Sequence, residues 1–302
     1  MEHDLTGKVA VVVGGGQSPG EGLGNGRCIC LDFARHGATV VAAARHLDRA
    51  QATIDFIKED CGKDDGMAYE LDCVNREEVR GLFQTVKEKY GHVDIMVYNV
   101  GVTLEFDAAT NSATLEAVNR LLDVDLVGCV WSTLECGEIM EAQENGGVML
   151  NISSIASRQT GTGINIGYGF YALSKAGMNH WGELAAEYYA PKGVRVNTLV
   201  LGQVASIMGQ SGVEYLEGGI PSDLAAAIHN VSVPLKGGRK TVWETAHAAT
   251  FLCSDEAKFI TGMDFVLDGG TTKMIGPDPV YTKIKAAEIM KKYQEENAGK
   301  QG

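Results

Sequence analysis

Lysine and arginine form no cluster anywhere in this chain, and the net charge is −13. That excludes the electrostatic footprint of a nucleic-acid or anionic-membrane binder and leaves an ordinary acidic protein. No apolar run reaches about 18 residues, so no membrane-spanning helix is expected. The stretch from Met1 to Lys8 lacks the apolar core of a signal peptide. Paired cysteines are missing too. Cys28, Cys30, Cys61, Cys73, Cys129, Cys136 and Cys253 are odd in number and scattered, and none forms Cys-x-x-Cys. Cys28-Ile-Cys30 lies in an apolar helical run, where core packing is a simpler reading than metal binding. The expected setting is the reducing cytoplasm, with no metal. Proline is also scarce: 6 residues against 38 glycines, the balance of a chain with many strand–helix turns.

What is there suffices for one large α/β domain or two small ones, since 45% of the 302 residues are hydrophobic. Val9-Ala-Val-Val-Val13 reads as a buried strand. After it come Gly14 to Gly26, thirteen residues with seven glycines, and then a helix over 27–36. Strand, glycine loop and helix make a phosphate cradle. Glycines admit a pyrophosphate to the backbone, and the helix N-terminus offers free N–H groups and a positive dipole end. The loop does not match Gly-x-Gly-x-x-Gly literally.

The pattern continues as strand 37–45, helix 48–59, strand 67–71, helix 77–90 and strand 93–98. A long amphipathic segment over 112–144 follows, then strand 147–152, a helix running to 190, strand 194–200, helix 244–253 and strand 265–267. Alternation of this kind predicts a doubly wound, Rossmann-type parallel sheet with helices on both faces, in a single domain. Ligands in such sheets bind outside the carboxyl ends of the strands. The glycine loop, Arg45, Asp72, Asn99 and Ser154 all fall at those ends. The second strand ends in Ala44-Arg45 with no carboxylate for a ribose hydroxyl, which favours NADP(H) over NAD(H) as cofactor. Residues 203–238 leave the sixth strand on the ligand side and are expected to form a substrate lid. Residues 271–302 form a helical extension to the 1–270 domain.

Tyr171-Ala-Leu-Ser-Lys175 supplies the chemistry. On a helix, residues four apart share a face. An ammonium beside a phenol favours the phenolate, so such a pair brings a proton donor and acceptor toward neutral pH.

These residues resemble the short-chain dehydrogenase/reductase family over roughly 5–270. Tyr171, Lys175 and the upstream Ser154 match its Tyr-x-x-x-Lys pair and serine. Asn99-Val-Gly101 matches its Asn-x-Gly turn, Asp72 its adenine-side aspartate, and Ile260-Thr-Gly262 and Asp268-Gly-Gly270 its C-terminal pattern. The resemblance implies that Tyr171 is the acid/base, that Ser154 binds the reacting oxygen, and that Lys175 lowers the Tyr171 pKa and holds the nicotinamide ribose. It puts Gly14, Gly15, Gly24, Asn25, Gly26, Arg45, Asp72, Asn99, Gly101, Gly202 and Val204 on the cofactor with Tyr171 and Lys175. Ser153 is the second choice for the serine role. Homotetramers or homodimers are the implied assembly.

Four departures from the family pattern stand out. The glycine loop is five residues longer, with Pro19 and Glu21 in the insert. The family's relay asparagine is Asp125 here, which either pairs with Lys175 and supports the relay or holds Lys175 away. Leu201-Gly202 replaces Pro-Gly, and the stretch from Ser154 to Tyr171 is long and glycine-rich. The expected activity is hydride transfer between a nicotinamide cofactor and the carbinol or carbonyl carbon of a small secondary alcohol or ketone. The alternative is a catalytically silent nucleotide-binding sensor or scaffold of the same fold.

Overall fold

The computed structural model describes residues 3–18, 22–102, 114–158, 169–206, 233–236, 238, 240–273, 287–293 and 295. Seven parallel strands stand in the order β3-β2-β1-β4-β5-β6-β7. They are β1 (Val9–Val13), β2 (Thr39–Ala44), β3 (Met67–Glu70), β4 (Ile95–Tyr98), β5 (Gly147–Ser154), β6 (Val194–Leu201) and β7 (Asp264–Leu267). Between them run α1 (Asn25–Arg35), α2 (Leu47–Cys61), α3 (Arg76–Tyr90), α4 (Leu115–Leu122), α5 (Gly128–Met140), α6 (Gly169–Tyr189) and α7 (Val242–Cys253).

The uninterrupted apolar run of β1 has a direct cause. Its side chains alternate between two cores, one on each face of the sheet. Ala10 and Val12 pack with Cys28, Leu31, Ala50 and Leu252 from α1, α2 and α7. Val9, Val11 and Val13 pack with Val79, Leu82, Cys129 and Met178 from α3, α5 and α6. All five strand residues are buried, so neither face tolerates a polar side chain. Cys28, Cys30, Cys129, Cys136 and Cys253 are buried and free, as core packing requires.

The chain builds the sheet outward from β1 to β3, then returns to place β4 on the other side of β1. A crevice opens at that reversal, outside the carboxyl ends of β1 and β4. Asn99 Nδ2 donates to Gly14 O at 3.1 Å and ties the two strand ends together there.

The 112–144 segment is not one regular helix. Between α4 and α5 lies a π-helical stretch, Asp123–Val127, in which the Gly128 N–H reaches back five residues to Asp123 O. Tyr98, fully buried on β4, is responsible. Its hydroxyl donates to Val124 O and also lies 3.5 Å from Cys73 Sγ. Gly128 makes room for it: a methyl group there would stand 2.5 Å from Tyr98 Oη. Such wide turns inside helices recur at functional sites, and this one carries Asp125.

The proposed lid falls almost entirely on 207–232, outside the described residues, as do Pro19, Glu21 and the glycine-rich stretch 159–168. Of the extension, residues 287–293 are helical. No helix among the described residues is long and apolar enough to cross a membrane.

Candidate active site

The crevice is a cleft of about 270 Å³ that runs from Arg45 and Asp72 at one end to Gly101 and Val102 at the other. Its floor is the glycine loop. Gly14 has φ +87°, a conformation that costs glycine little and other residues more. Its N–H donates to Ala43 O at 2.9 Å, and that of Gly15 donates to the same oxygen at 3.0 Å. Gly24 is the N-cap of α1 and Asn25 its first residue. A methyl group on Gly26 would fall on the Gly14 carbonyl oxygen and stand 2.6 Å from Asn99 Nδ2. The helix therefore begins in contact with the end of β1, and its unsatisfied N–H groups open onto the cleft.

The longer loop is fastened by a side chain that sequence reading passed over. Gln17 Nε2 donates to Gly22 O at 3.0 Å, and Gln17 Oε1 accepts from the Gly24 N–H at 3.1 Å. The Gln17 amide thus ties the residues before and after 19–21 to each other. Asn25 Oδ1 is buried and has no hydrogen-bond partner, on a residue that lines the cleft. An unpaired acceptor there is costly unless a ligand group supplies a donor. The glycine cradle and the helix N-terminus fit the pyrophosphate of a nicotinamide dinucleotide, and the Asn25 acceptor fits a hydroxyl of one of its riboses.

At the nucleoside end, Arg45 sits exposed just past β2, with His46 beside it and Arg49 one helical turn on. Neither Arg45 nor Arg49 has a carboxylate partner among the described residues. The Arg49 stem packs against Gly16, where a methyl group would stand 3.2 Å from its Cβ. Arg49 was legible only as the residue four after Arg45 on a helix. Asp72 lines the same end, and its Oδ1 accepts from the Val74 N–H at 3.3 Å.

At the other end, Gly101 lies over Lys175, whose Nζ would be 3.4 Å from a methyl group placed on that glycine. The Lys175 side chain is 3% exposed. Its Nζ donates to Val100 O at 3.3 Å and Ile152 O at 3.4 Å, and stands 3.7 Å from Asp125 Oδ2. Asp125 is fully buried. Its Oδ1 accepts from the Val102 N–H at 2.7 Å, and its Oδ2 from Ser174 Oγ at 3.4 Å. Of the two outcomes open from the sequence, pairing with Lys175 is the one found.

Tyr171 is half-buried in the first turn of α6, with Lys175 Nζ 5.7 Å from its ring centroid. Its hydroxyl faces the side chain of Ser154, the last residue of β5, which lowers its pKa. Ser153, the second choice, turns the other way: it is buried and its Oγ donates to Lys175 O at 3.4 Å. One expectation is corrected here. Lys175 does not pull the Tyr171 hydroxyl down. Burial pushes its pKa up, the Asp125 carboxylate adds to that, and the Ser154 hydrogen bond only partly opposes them.

Gly202 and Val204 follow β6. The Gly202 N–H donates to Leu267 O at 2.9 Å, and Val204 pairs with Lys240 in an isolated parallel bridge. Lys240 Nζ donates to Leu267 O at 2.7 Å, and burial brings its pKa down to about 7 against the carboxylates of Glu244 and Asp268. Of the expected site residues, Gly14, Gly24, Asn25, Gly26, Arg45, Asp72, Asn99 and Gly101 line the cleft, whereas Gly15, Asp125, Ser154, Tyr171, Lys175, Gly202 and Val204 are not part of its lining.

A family model described as enoyl-(acyl carrier protein) reductase matches residues 22–272. The chain is 31% identical over 274 residues to glucose 1-dehydrogenase 2 of Bacillus subtilis, covering 90% of this chain and 97% of that protein. It is 27% identical to a 3beta-hydroxysteroid dehydrogenase of Mediterraneibacter gnavus, covering 82% and 91%. The crystal structure of a short-chain type dehydrogenase/reductase from Mycobacterium marinum matches with a TM-score of 0.77 at 28% identity, covering 89% of this chain and 97% of that one.

Proposed function

The chain belongs to the short-chain dehydrogenase/reductase family and is an NAD(P)-dependent oxidoreductase of CH–OH and C=O groups; within that activity we propose that it moves a hydride between NADP(H) and the carbinol or carbonyl carbon of a small secondary alcohol or ketone, with Tyr171 as acid and base. One observation carries the reading. Tyr171, whose hydroxyl pKa the Ser154 side chain at the end of β5 lowers, has Lys175 on the next turn of the same helix, with its Nζ 5.7 Å from the Tyr171 ring centroid.

The bound nicotinamide supplies or accepts the hydride, and the protein supplies position, proton and field. During reduction Tyr171 Oη gives its proton to the carbonyl oxygen. During oxidation the Tyr171 phenolate takes the proton from the substrate hydroxyl, so charge and protons balance in both directions. Ser154 Oγ hydrogen-bonds the same oxygen and stabilises the charge that develops on it. Lys175 holds the nicotinamide ribose, with Asn99 and Gly101 beside it. Gly14, Gly15, Gly24, Asn25 and Gly26 hold the pyrophosphate, Asp72 the adenine side, and Gly202 and Val204 the nicotinamide side.

Arg45 and Arg49, two cations without carboxylate partners among the described residues at the nucleoside end, support NADP(H) over NAD(H). The names of two relatives, for glucose and for a 3β-hydroxysteroid, support a hydroxyl-bearing substrate without choosing its size. Exposed Leu184 and Tyr188 on α6 support a contact between copies, in a homodimer or homotetramer. A silent scaffold draws its support from the long glycine loop and Asp125, yet Gln17 keeps the loop closed and Asp125 keeps Lys175 near Tyr171.

The test is Tyr171→Phe. Turnover of a panel of secondary alcohols and ketones should fall roughly 100-fold or more, while NADPH still quenches protein fluorescence with about the same affinity. Full turnover in that variant rejects Tyr171 as the acid and base.

A further inference from the structure

Asp125 replaces a neutral amide with a charge. An asparagine at this position would accept the same Val102 N–H and be the same size, so shape does not distinguish the two. What differs is the field around Tyr171. The Asp125 carboxylate meets three donors: the Val102 N–H, the Ser174 hydroxyl and the Lys175 ammonium. Burial raises the Asp125 pKa, and the Lys175 ammonium, the Val102 N–H and the Ser174 hydroxyl oppose that rise by favouring the carboxylate.

The titratable groups packed against this pair come from every neighbouring element. They are Tyr98 on β4, Cys73 after β3, Cys129 on α5 and Tyr171 on α6. Burial pushes all four up, Cys129 to about 12, so each is neutral at pH 7. Among these described groups, charge therefore rests with Asp125 and Lys175. Together they present a compact, nearly neutral pair to the phenol. Lys175 alone would present a full positive charge in a site with little water to screen it.

We propose that Asp125 is a positioning residue that neutralises Lys175 and thereby sets proton exchange at Tyr171 to alkaline pH. The proposal rests on Tyr171 being the acid and base. It makes this enzyme differ from one with an amide at position 125 in when it works, not in what it does. The phenolate needed for alcohol oxidation forms in quantity only well above neutrality, whereas carbonyl reduction, which uses the protonated phenol, keeps its donor across the neutral range.

The experiment follows tyrosinate absorbance against pH in the apoprotein, for wild type and Asp125→Asn, each with Tyr171→Phe as its blank. The signal lost on removing Tyr171 belongs to Tyr171. In wild type it should appear only above about pH 10, the ordinary phenol value. In Asp125→Asn its midpoint should fall by one pH unit or more. The alkaline limb of kcat/KM for alcohol oxidation should move by the same amount. Identical midpoints in the two proteins overturn the proposal. Asp125→Ser removes the same charge and replaces Asn if that variant does not fold. Should neither fold, a wild-type midpoint near neutrality overturns the proposal. The shift with no turnover in any protein retains the electrostatic proposal and rejects the catalytic role of Tyr171.

Discussion

Lys175 Nζ and Asp125 Oδ2 stand 3.7 Å apart, at 3% and 0% side-chain exposure, in one ion pair beneath Gly101. The two residues are fifty apart in sequence and come from different helical segments. Burial makes each depend on the other, because either charge alone would be left in a medium that solvates it badly.

Removal of one partner therefore costs more than removal of both. Lys175→Met should destabilise the protein by about 3–5 kcal/mol, the cost of stranding a buried charge. The double variant with Asp125→Asn should recover most of it. Urea unfolding of the four proteins in this cycle measures the coupling. Additive losses would mean that the pair is not an interacting unit.

The nucleoside end predicts cofactor choice. Arg45→Ala and Arg49→Ala should each weaken NADPH binding about tenfold or more, since a charge-assisted hydrogen bond contributes roughly 1.5–3 kcal/mol. NADH affinity should stay within about threefold, because it carries no 2′-phosphate. Side-by-side fluorescence titrations with both nucleotides decide this. Equal losses for both would move the arginines away from the 2′ position.

Gly26 predicts a packing failure. Its missing Cβ is occupied by the Gly14 carbonyl oxygen, and Asn99 Nδ2 closes the other side. Backbone cannot yield as a flexible side chain would. Gly26→Ala should destabilise by about 1–3 kcal/mol and weaken NADPH and NADH alike, read by thermal unfolding and the same titrations. An alanine variant with unchanged Tm would contradict the close contact of α1 and β1.

Lys240 predicts a pH dependence of stability. Its pKa is about 7 in the folded protein against an ordinary lysine value when unfolded. Between those two values the unfolded chain binds the extra proton, so stability should rise with pH from about 7 upward and be flat below it. Lys240→Met should remove that rise. Urea midpoints of both proteins between pH 6 and pH 9 measure it, and parallel curves would show that burial does not depress this amine.

The order of strands and helices was legible because it is written locally. Apolar runs of strand length, helical periodicity and glycine punctuation recur every few dozen residues, and each boundary came within a few residues of its place. The segment over 112–144 was not legible in the same way. Its periodicity is helical throughout, but the π turn at Asp123–Val127 belongs to Tyr98, which presses on it from β4. Nothing within the segment announces a side chain that arrives from another strand. Ser153 and Ser154 illustrate the same limit at the scale of one residue. Both end β5 and either has the right chemistry, but only the pleat of the folded strand sends Ser153 into α6 and Ser154 to Tyr171.

The sequence by itself determined the doubly wound sheet and the glycine-rich turn into α1, because those depend on residue type and short spacing, and it put Tyr171, Lys175 and Ser154 forward through their match to a family pattern. Tertiary structure alone decided that Gln17 bonds Gly22 and Gly24, that Arg49 lines the same cleft as Arg45, and that Asp125 stands 3.7 Å from Lys175. Those relationships are distances between side chains brought together by packing, and a charge acts through distance and burial, neither of which a linear sequence contains.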